Sequence, residues 1–251
     1  MNLLIIQARM GSTRLPGKVL KKIKGHSLLE LQQMRIQPSR LVDKIIIATT
    51  TQVEDDAIAS FCKEQGIAYY RGSDWDVLDR YYHAAINYKP ENVIRVTSDC
   101  PLHHHTVIDF VIEQYLESGK DYFSNSNHEP DFLEDGFDVE VFSFRALETA
   151  WKEAKLLSER EHVTPYIKNS GQFNCGWKKF NKDYHFKLSV DSENDFRVAE
   201  AIFSVFDPVT DFDMPAILQL LTSRPEILEL NKDSVINSGY TKSIQNDKEI
   251  Q

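Results

Sequence analysis

The chain has 251 residues, with 29 Lys and Arg against 38 Asp and Glu for a formal net charge of −9. That length suits one large α/β domain with a real core, and the acidic balance argues against general nucleic-acid binding, which needs a broad basic face. Cys62, Cys100 and Cys175 are odd in number and widely spaced, which fits neither a disulfide framework nor a zinc pattern and points to a reducing, cytoplasmic setting; no apolar stretch is long enough to suggest a membrane span.

The opening 29 residues run against the overall charge, with six Lys or Arg and no acid before Glu30. A short apolar run, 3–6, reads as a buried strand that delivers a Gly-rich basic loop, Gln7-Ala8-Arg9-Met10-Gly11-Ser12-Thr13-Arg14-Leu15-Pro16-Gly17-Lys18. A second buried strand is predicted at 44–50, then a helix at 53–65 closed by Gly66, a short strand at 67–70 and a helix at 74–87. A third strong strand covers 92–98 and a helix 106–117. Strands joined through helices of this length pair in parallel, and in such sheets ligands sit beyond the strands' carboxyl ends. Those ends are polar here: Gln7-Ala8-Arg9, Thr49-Thr50-Thr51 and Thr97-Ser98-Asp99.

Past residue 120 the pattern changes. Residues 138–144 alternate with period two, as an antiparallel or mixed strand does. Helices are predicted at 145–155 and 158–169, the second opening on a capping-box pattern at Ser158 and interrupted by Pro165. A further strand is expected at 185–190 and a helix at 194–206. The domain is expected to span 1–236, and the polar stretch 237–251 to be a loosely held tail.

Three segments could carry chemistry. In the first loop five residues separate Gly11 from Gly17, and Val19 follows Lys18. A Walker loop needs four and a Ser or Thr, so that motif is excluded, and the G-x-G-x-x-G fingerprint is absent too. The loop still suits a triphosphate: glycines let N–H groups close around phosphate oxygens, Arg9 and Arg14 can grip them bidentately, and Lys18 adds a compact charge. A basic solvated loop is the plainer alternative. In the second segment, Asp99 ends a buried strand, as a ligand for Mg²⁺ or as the cap of a turn. In the third, Asp191 could share that metal, although spacing alone favours Asp191 or Ser192 as a helix N-cap.

Together these segments resemble the cytidylyltransferases of the spore-coat polysaccharide protein F type, relatives of the 3-deoxy-manno-octulosonate and acylneuraminate cytidylyltransferases. The resemblance rests on residues 7–20, on Arg71-Gly72-Ser73 with Asp76-Val77-Leu78-Asp79-Arg80, on Thr97-Ser98-Asp99-Cys100-Pro101-Leu102, on 136–143, on 158–167, and on Asp191 through Phe196. It implies a nucleotide-diphospho-sugar transferase fold of the GT-A type: an α/β, Rossmann-like three-layer sandwich with a mostly parallel central sheet. It also implies Mg²⁺-dependent transfer of CMP from CTP to an acceptor, releasing pyrophosphate, by a homodimer active in surface-polysaccharide biosynthesis. By motif position, Ala8, Arg9, Gly11, Ser12, Arg14 and Lys18 would hold CTP, with Thr97 and Ser98 nearby and Arg71 and Arg80 as further contacts. Arg9, Arg14, Lys18 and Asp99 would carry catalysis, and Asp99 with Asp191 would hold the metal. Asp138, Glu140, Arg160, Glu161, His162 and Tyr166 would form the acceptor side, with Glu161 or His162 as a candidate base.

The chain departs from that family's pattern at His103-His104-His105. Consecutive side chains do not converge on one ion, so a polar segment leading into a helix is the better reading, one that could still alter the acceptor pocket. An acidic keto sugar is the first expectation for the acceptor. A phosphorylated or phosphonate acceptor, or a GT-A glycosyltransferase using a nucleotide-sugar donor, is the alternative.

Overall fold

The computed structural model describes residues 1–127, 132–236, 238–245 and 247–250. The chain begins with β1 (Asn2–Gln7), followed by a tight hairpin of β2 (Lys22–Ile23) and β3 (His26–Ser27) and by α1 (Leu28–Ile36). Then come β4 (Lys44–Thr50), α2 (Asp56–Glu64), β5 (Ala68–Gly72), α3 (Val77–Ile86), β6 (Asn92–Thr97) and α4 (His105–Ser118). The second half holds β7 (Tyr122–Ser124), β8 (Glu140–Ser143), α5 (Phe144–Glu153), α6 (Leu157–His162), α7 (Pro165–Asn169) and β9 (Cys175–Trp177). It closes with α8 (Glu193–Val205), α9 (Met214–Ser223), α10 (Glu226–Glu229) and α11 (Ser238–Gln245).

Among the described residues, seven strands form one sheet in the order β5-β4-β1-β6-β8-β7-β9. The β5, β4, β1 and β6 pairings are parallel, as is β7 with β9, whereas β8 runs antiparallel to both β6 and β7. The fully apolar stretch Leu3–Ile6 of β1 is buried on both faces: Leu4 and Ile6 face one hydrophobic core, Leu3 and Ile5 the other. That two-sided burial is what a continuous apolar run in a parallel sheet requires, and it makes the molecule an α/β three-layer sandwich with a mostly parallel sheet. Because chain order reverses on either side of β1, the carboxyl ends of β1 and β6 flank a topological switch point, where such sheets bind ligands.

Most predicted elements appear within a few residues of their expected bounds. Gly66 and Gly119 both take left-handed φ angles of 66° and 62° at helix ends, the conformation that favours glycine there. Two expectations are corrected. Residues 185–190 form no strand: the Asp135 carboxylate accepts the Leu188 and Ser189 N–H groups at 3.0 and 2.8 Å, and the Val190 N–H goes to the Asp99 carbonyl at 2.7 Å. Their donors are spent on a side chain and a turn rather than on a ladder. The helix at 158–169 is interrupted at Pro165 as expected, giving α6 and α7. The cap of α6 lies earlier than expected: the Glu159 carboxylate accepts from the Leu156 N–H at 2.9 Å, while Ser158 bonds Asp247.

The polar tail differs as well. It carries α11 and crosses α6, with the Leu157 N–H donating to the Lys248 carbonyl at 2.9 Å and the Ile250 N–H to the Lys155 carbonyl at 2.8 Å. Backbone pairing supplies the partners that its few apolar side chains do not. Residues 237, 246 and 251 of this tail lie outside the described residues.

Candidate active site

The loop after β1 is shaped by its own backbone and by one buried acid. The Ser12 and Gly17 N–H groups donate to the Met10 carbonyl at 2.8 and 3.0 Å, and Gly17 adopts φ 69°, which closes the turn. The Asp55 carboxylate receives the Met10 N–H at 2.6 Å and the Thr50 hydroxyl, fixing the loop to the end of β4. Gly11 lies against α2's approach: a Cβ there would meet Glu54 Oε1 at 3.1 Å. The basic residues therefore project from a backbone held in place beforehand.

Lys18 is the focal point. Its Nζ donates to Asp99 Oδ2 at 3.2 Å, Asp191 Oδ1 at 3.0 Å and the Val190 carbonyl at 2.7 Å. Burial pulls the Lys18 pKa down, and the two carboxylates more than restore it, so the ammonium stays charged. Burial likewise pushes Asp99 up, but Lys18 and hydrogen bonds from Thr97 and Cys100 hold it well below the usual carboxylate range. Arg14 Nη2 lies 3.1 Å from Asp191 Oδ1, and Lys187 Nζ 3.3 Å from Asp191 Oδ2. Ser192, not Asp191, caps α8 by accepting the Asp195 N–H. Asp191 is thus free of the capping role that spacing favoured, and both it and Asp99 face one point.

Two cavities meet at that point. The outer cleft, ≈ 960 Å³, runs along the basic loop past Ala8, Arg9, Gly11, Ser12 and Arg80 to Thr97 and Ser98. The inner chamber, ≈ 270 Å³, extends along β6 past Arg95, Asp138, Glu140, Thr164 and Lys168. Gln7, Arg14, Thr97, Asp99, His162 and Asp191 line both. A molecule in each would therefore have its reacting end beside Asp99, Asp191 and Arg14.

Most residues expected for the nucleotide side line the outer cleft, Arg9 with half its side chain exposed and 3.5 Å from Asp74. Arg71 does not. Its guanidinium is spent on the Thr50 and Gln52 carbonyls and on Asp56, tying β5 to α2's start.

The acceptor set divides further. Asp138 and Glu140 line the inner chamber, Glu161 the outer cleft, and His162 both. Burial, with Asp135 and Asp99 nearby, raises the Asp138 carboxyl to about 8; burial lowers His162 to about 4, so its ring is neutral. His162 and Thr164 reach the wall from either side of Val163, whose φ of 70° is rare for a β-branched residue. Two expectations are corrected. Arg160 holds Asp76 through Nε and Nη2 at 2.5–3.0 Å and donates to the Trp151 carbonyl, so it ties α6 to the start of α3. Tyr166 bonds Glu153 and Gln172 on an exposed face.

The three histidines do not converge on one site: the His104 and His105 rings lie 4.2 Å apart, while His103 turns away from them. His103 is fully buried, with Nδ1 at 2.9 Å from Gln32 Nε2 and Nε2 at 3.1 Å from the Asp138 carbonyl. His104 caps α4 by accepting the Thr106 N–H. His103 therefore buttresses the backbone that carries Asp138 into the chamber.

Sequence reasoning missed Arg95, Lys168 and Tyr240, all on the chamber wall. Arg95 had a signal: it is the one charged residue inside the otherwise apolar and polar-neutral strand Asn92–Thr97.

Asp99 and Asp191 offer the donor chemistry of a divalent-cation site, around a point taken here by the Lys18 ammonium. Mg²⁺ commonly takes one or two carboxylates and fills its remaining positions with substrate phosphates and water. Two carboxylate oxygens within about 3 Å of a single cationic atom satisfy that donor chemistry.

Comparison with known proteins gives a consistent result. The sequence model of the Cytidylyltransferase family matches residues 3–213. An uncharacterised protein of Methanocaldococcus jannaschii is 38% identical over 233 residues, covering 91% of this chain and 93% of that one. The spore coat polysaccharide biosynthesis protein SpsF of Bacillus subtilis is 30% identical over 237 residues, covering 89% and 95%. Among solved structures, a cytidylyltransferase from Leptospira borgpetersenii superposes with a TM-score of 0.84 at 27% identity, covering 94% of this chain and 98% of that one.

Proposed function

The chain belongs to the cytidylyltransferase family, and from that premise we propose that it transfers CMP from CTP to a small anionic acceptor used in surface-polysaccharide biosynthesis, releasing pyrophosphate. The observation that carries this reading is the meeting of two cavities at Asp99, Asp191 and Arg14. In it CTP occupies the outer cleft, triphosphate along the basic loop, and the acceptor occupies the inner chamber.

The acceptor oxygen attacks the α-phosphorus in line with the departing pyrophosphate. Charge develops on phosphate oxygens, so the protein's work is positioning and neutralisation. Arg14 and Lys18 bring positive charge to the junction, and Arg9 continues it along the cleft. Asp99 and Asp191 would hold Mg²⁺, which when bound polarises phosphate oxygens. His162, neutral and on the shared wall, is in place to accept the acceptor's proton; Glu161 sits on the nucleotide side, where the Ser243 hydroxyl donates to it at 2.6 Å.

Calorimetric titration of the protein with CTP, UTP, ATP, CMP and a nucleoside diphosphate-sugar tests this reading. CTP binding tighter than the other triphosphates, and tighter than CMP, supports a site built for a cytidine triphosphate. Tighter binding of a nucleoside diphosphate-sugar than of CTP would favour a glycosyltransferase instead.

A further inference from the structure

We propose that the inner chamber holds its acceptor by an anionic group seated at Arg95 and Lys168, at the end remote from Asp99 and Asp191. This rests on the cytidylyl-transfer reading and narrows it to acceptors whose acid group and attacking oxygen lie far apart in the molecule.

The seat is built on Glu140. Arg95 lies directly across the ladder from Glu140 on β8, and its Nη1 donates to Glu140 Oε2. Glu140 Oε1 accepts from the Tyr122 hydroxyl at 2.7 Å and the Thr164 hydroxyl at 2.6 Å, with Lys168 Nζ at 3.5 Å. Both carboxylate oxygens are thus committed within the protein, so Glu140 serves to place the two cations rather than to meet a ligand. Arg95 and Lys168 are 15% and 11% exposed at the side chain, and both line the chamber.

Placing two cations side by side in a largely buried wall is unfavourable. Burial lowers the Lys168 ammonium's pKa, Glu140 opposes that, and Arg95 lowers it again. Among the described residues, the Arg95 Nε is buried without a hydrogen-bond partner. A ligand anion in the adjoining space would relieve the repulsion, and Glu140 has fixed both cations in advance.

The geometry also sets polarity. Arg95 and Thr97 face the same side of β6, about 7 Å apart at ~3.3 Å per residue, and Asp99 lies two residues further on. Glu140 keeps the guanidinium at its own level of the ladder. A ligand reaching from Arg95 to the Asp99–Asp191 pair must therefore span at least about 7 Å. An acid group on the same carbon as the attacking hydroxyl lies too close to it to fill both ends. A phosphate, phosphonate or carboxylate at the far end of a hexose-sized backbone is long enough.

The test uses the full chain saturated with CTP, so that the triphosphate site is occupied, and titrates it with inorganic phosphate and separately with acetate. Wild type, Glu140→Gln and the charge-compensated Arg95→Met/Glu140→Gln are compared. Glu140→Gln unmasks the cations and should tighten anion binding about tenfold; the double variant should weaken it at least tenfold relative to Glu140→Gln. CTP affinity should stay within about twofold throughout, which also verifies folding. The phosphate and acetate arms report which anion the seat prefers. Anion affinity unchanged across the three proteins, or undetectable in all, overturns the seat. Wild type failing to bind CTP overturns instead the functional reading on which it rests. A pyrophosphate-release panel adds the polarity test: turnover is expected with hydroxy acceptors bearing a distal phosphate or carboxylate. Equal turnover with 3-deoxy-manno-octulosonate or N-acetylneuraminate, unaffected in the double variant, would contradict it.

Discussion

Lys18 donates to Asp191 Oδ1 at 3.0 Å across 173 residues of chain, joining the loop after the first strand to the segment before α8. The same ammonium holds Asp99 at 3.2 Å, so one side chain draws three distant motifs into a single site. Removing it leaves two carboxylates facing each other in a largely buried place, and breaking such a pair costs about 3–5 kcal/mol. Lys18→Met should therefore lower unfolding stability by several kcal/mol in urea titrations. Adding Asp99→Asn should recover part of that loss. A single variant as stable as wild type would show that the lysine does not compensate the pair.

Arg14 touches Asp191 from a half-exposed position, so its contribution to folding is small while its charge at the junction of the cavities is available to phosphate. Arg14→Ala should weaken CTP binding about tenfold or more with Tm nearly unchanged, because a charge-assisted phosphate contact is worth a few kcal/mol at most. Arg14→Lys should recover only part, lacking the planar fork. Calorimetric CTP titration alongside thermal melts reads both.

Arg160 gives the converse outcome. Its guanidinium is engaged with Asp76 and the Trp151 carbonyl, away from both cavities. Arg160→Met should cost about 3 kcal/mol by leaving the buried Asp76 without its cation, with CTP affinity held within about twofold. A large loss of CTP binding at unchanged stability would return Arg160 to the site.

Three largely buried histidines should each lower stability on mild acidification, against Asp138, whose raised carboxyl works in the opposite direction. Burial lowers His103, His104 and His162 each to about 4 from an ordinary 6.5. These groups are neutral in the folded protein and gain protons on unfolding, so their contribution is complete above about pH 6.5 and is lost as pH falls toward 4. His103, fully buried between Gln32 and the Asp138 carbonyl with Asp99 and Arg35 in electrostatic range, should account for about 2 kcal/mol between pH 7 and pH 5. Urea midpoints at pH 7 and pH 5 for wild type and His103→Gln measure it, the variant showing the shallower dependence.

The buried strands and the basic loop were legible because a continuous apolar run ending in Gly-rich polar residues has few other uses. The Asp99–Asp191 partnership was offered by the segments themselves and strengthened by resemblance; spacing favoured a cap at Asp191, and the structure gives that cap to Ser192. Residues 185–190 looked like a strand because they alternate, yet nothing in their own sequence reveals that the Asp135 carboxylate takes their N–H groups. Arg160 and Tyr166 stand in the right motif and face elsewhere, a matter of side-chain direction that a linear pattern does not contain. Arg95 was overlooked although a lone arginine in a buried strand is costly without a partner, and Glu140 is that partner.

Cytidylyl transfer itself is tested most directly by the fate of label from CTP. With divalent metal and an acceptor panel, [α-³²P]CTP should leave its label on the acceptor as a CMP conjugate, and [γ-³²P]CTP should leave its label in pyrophosphate. Asp99→Ala should abolish both. Transfer of the γ label to the acceptor, or acceptor-independent release of inorganic phosphate, would contradict attack at the α-phosphorus and with it the proposed function.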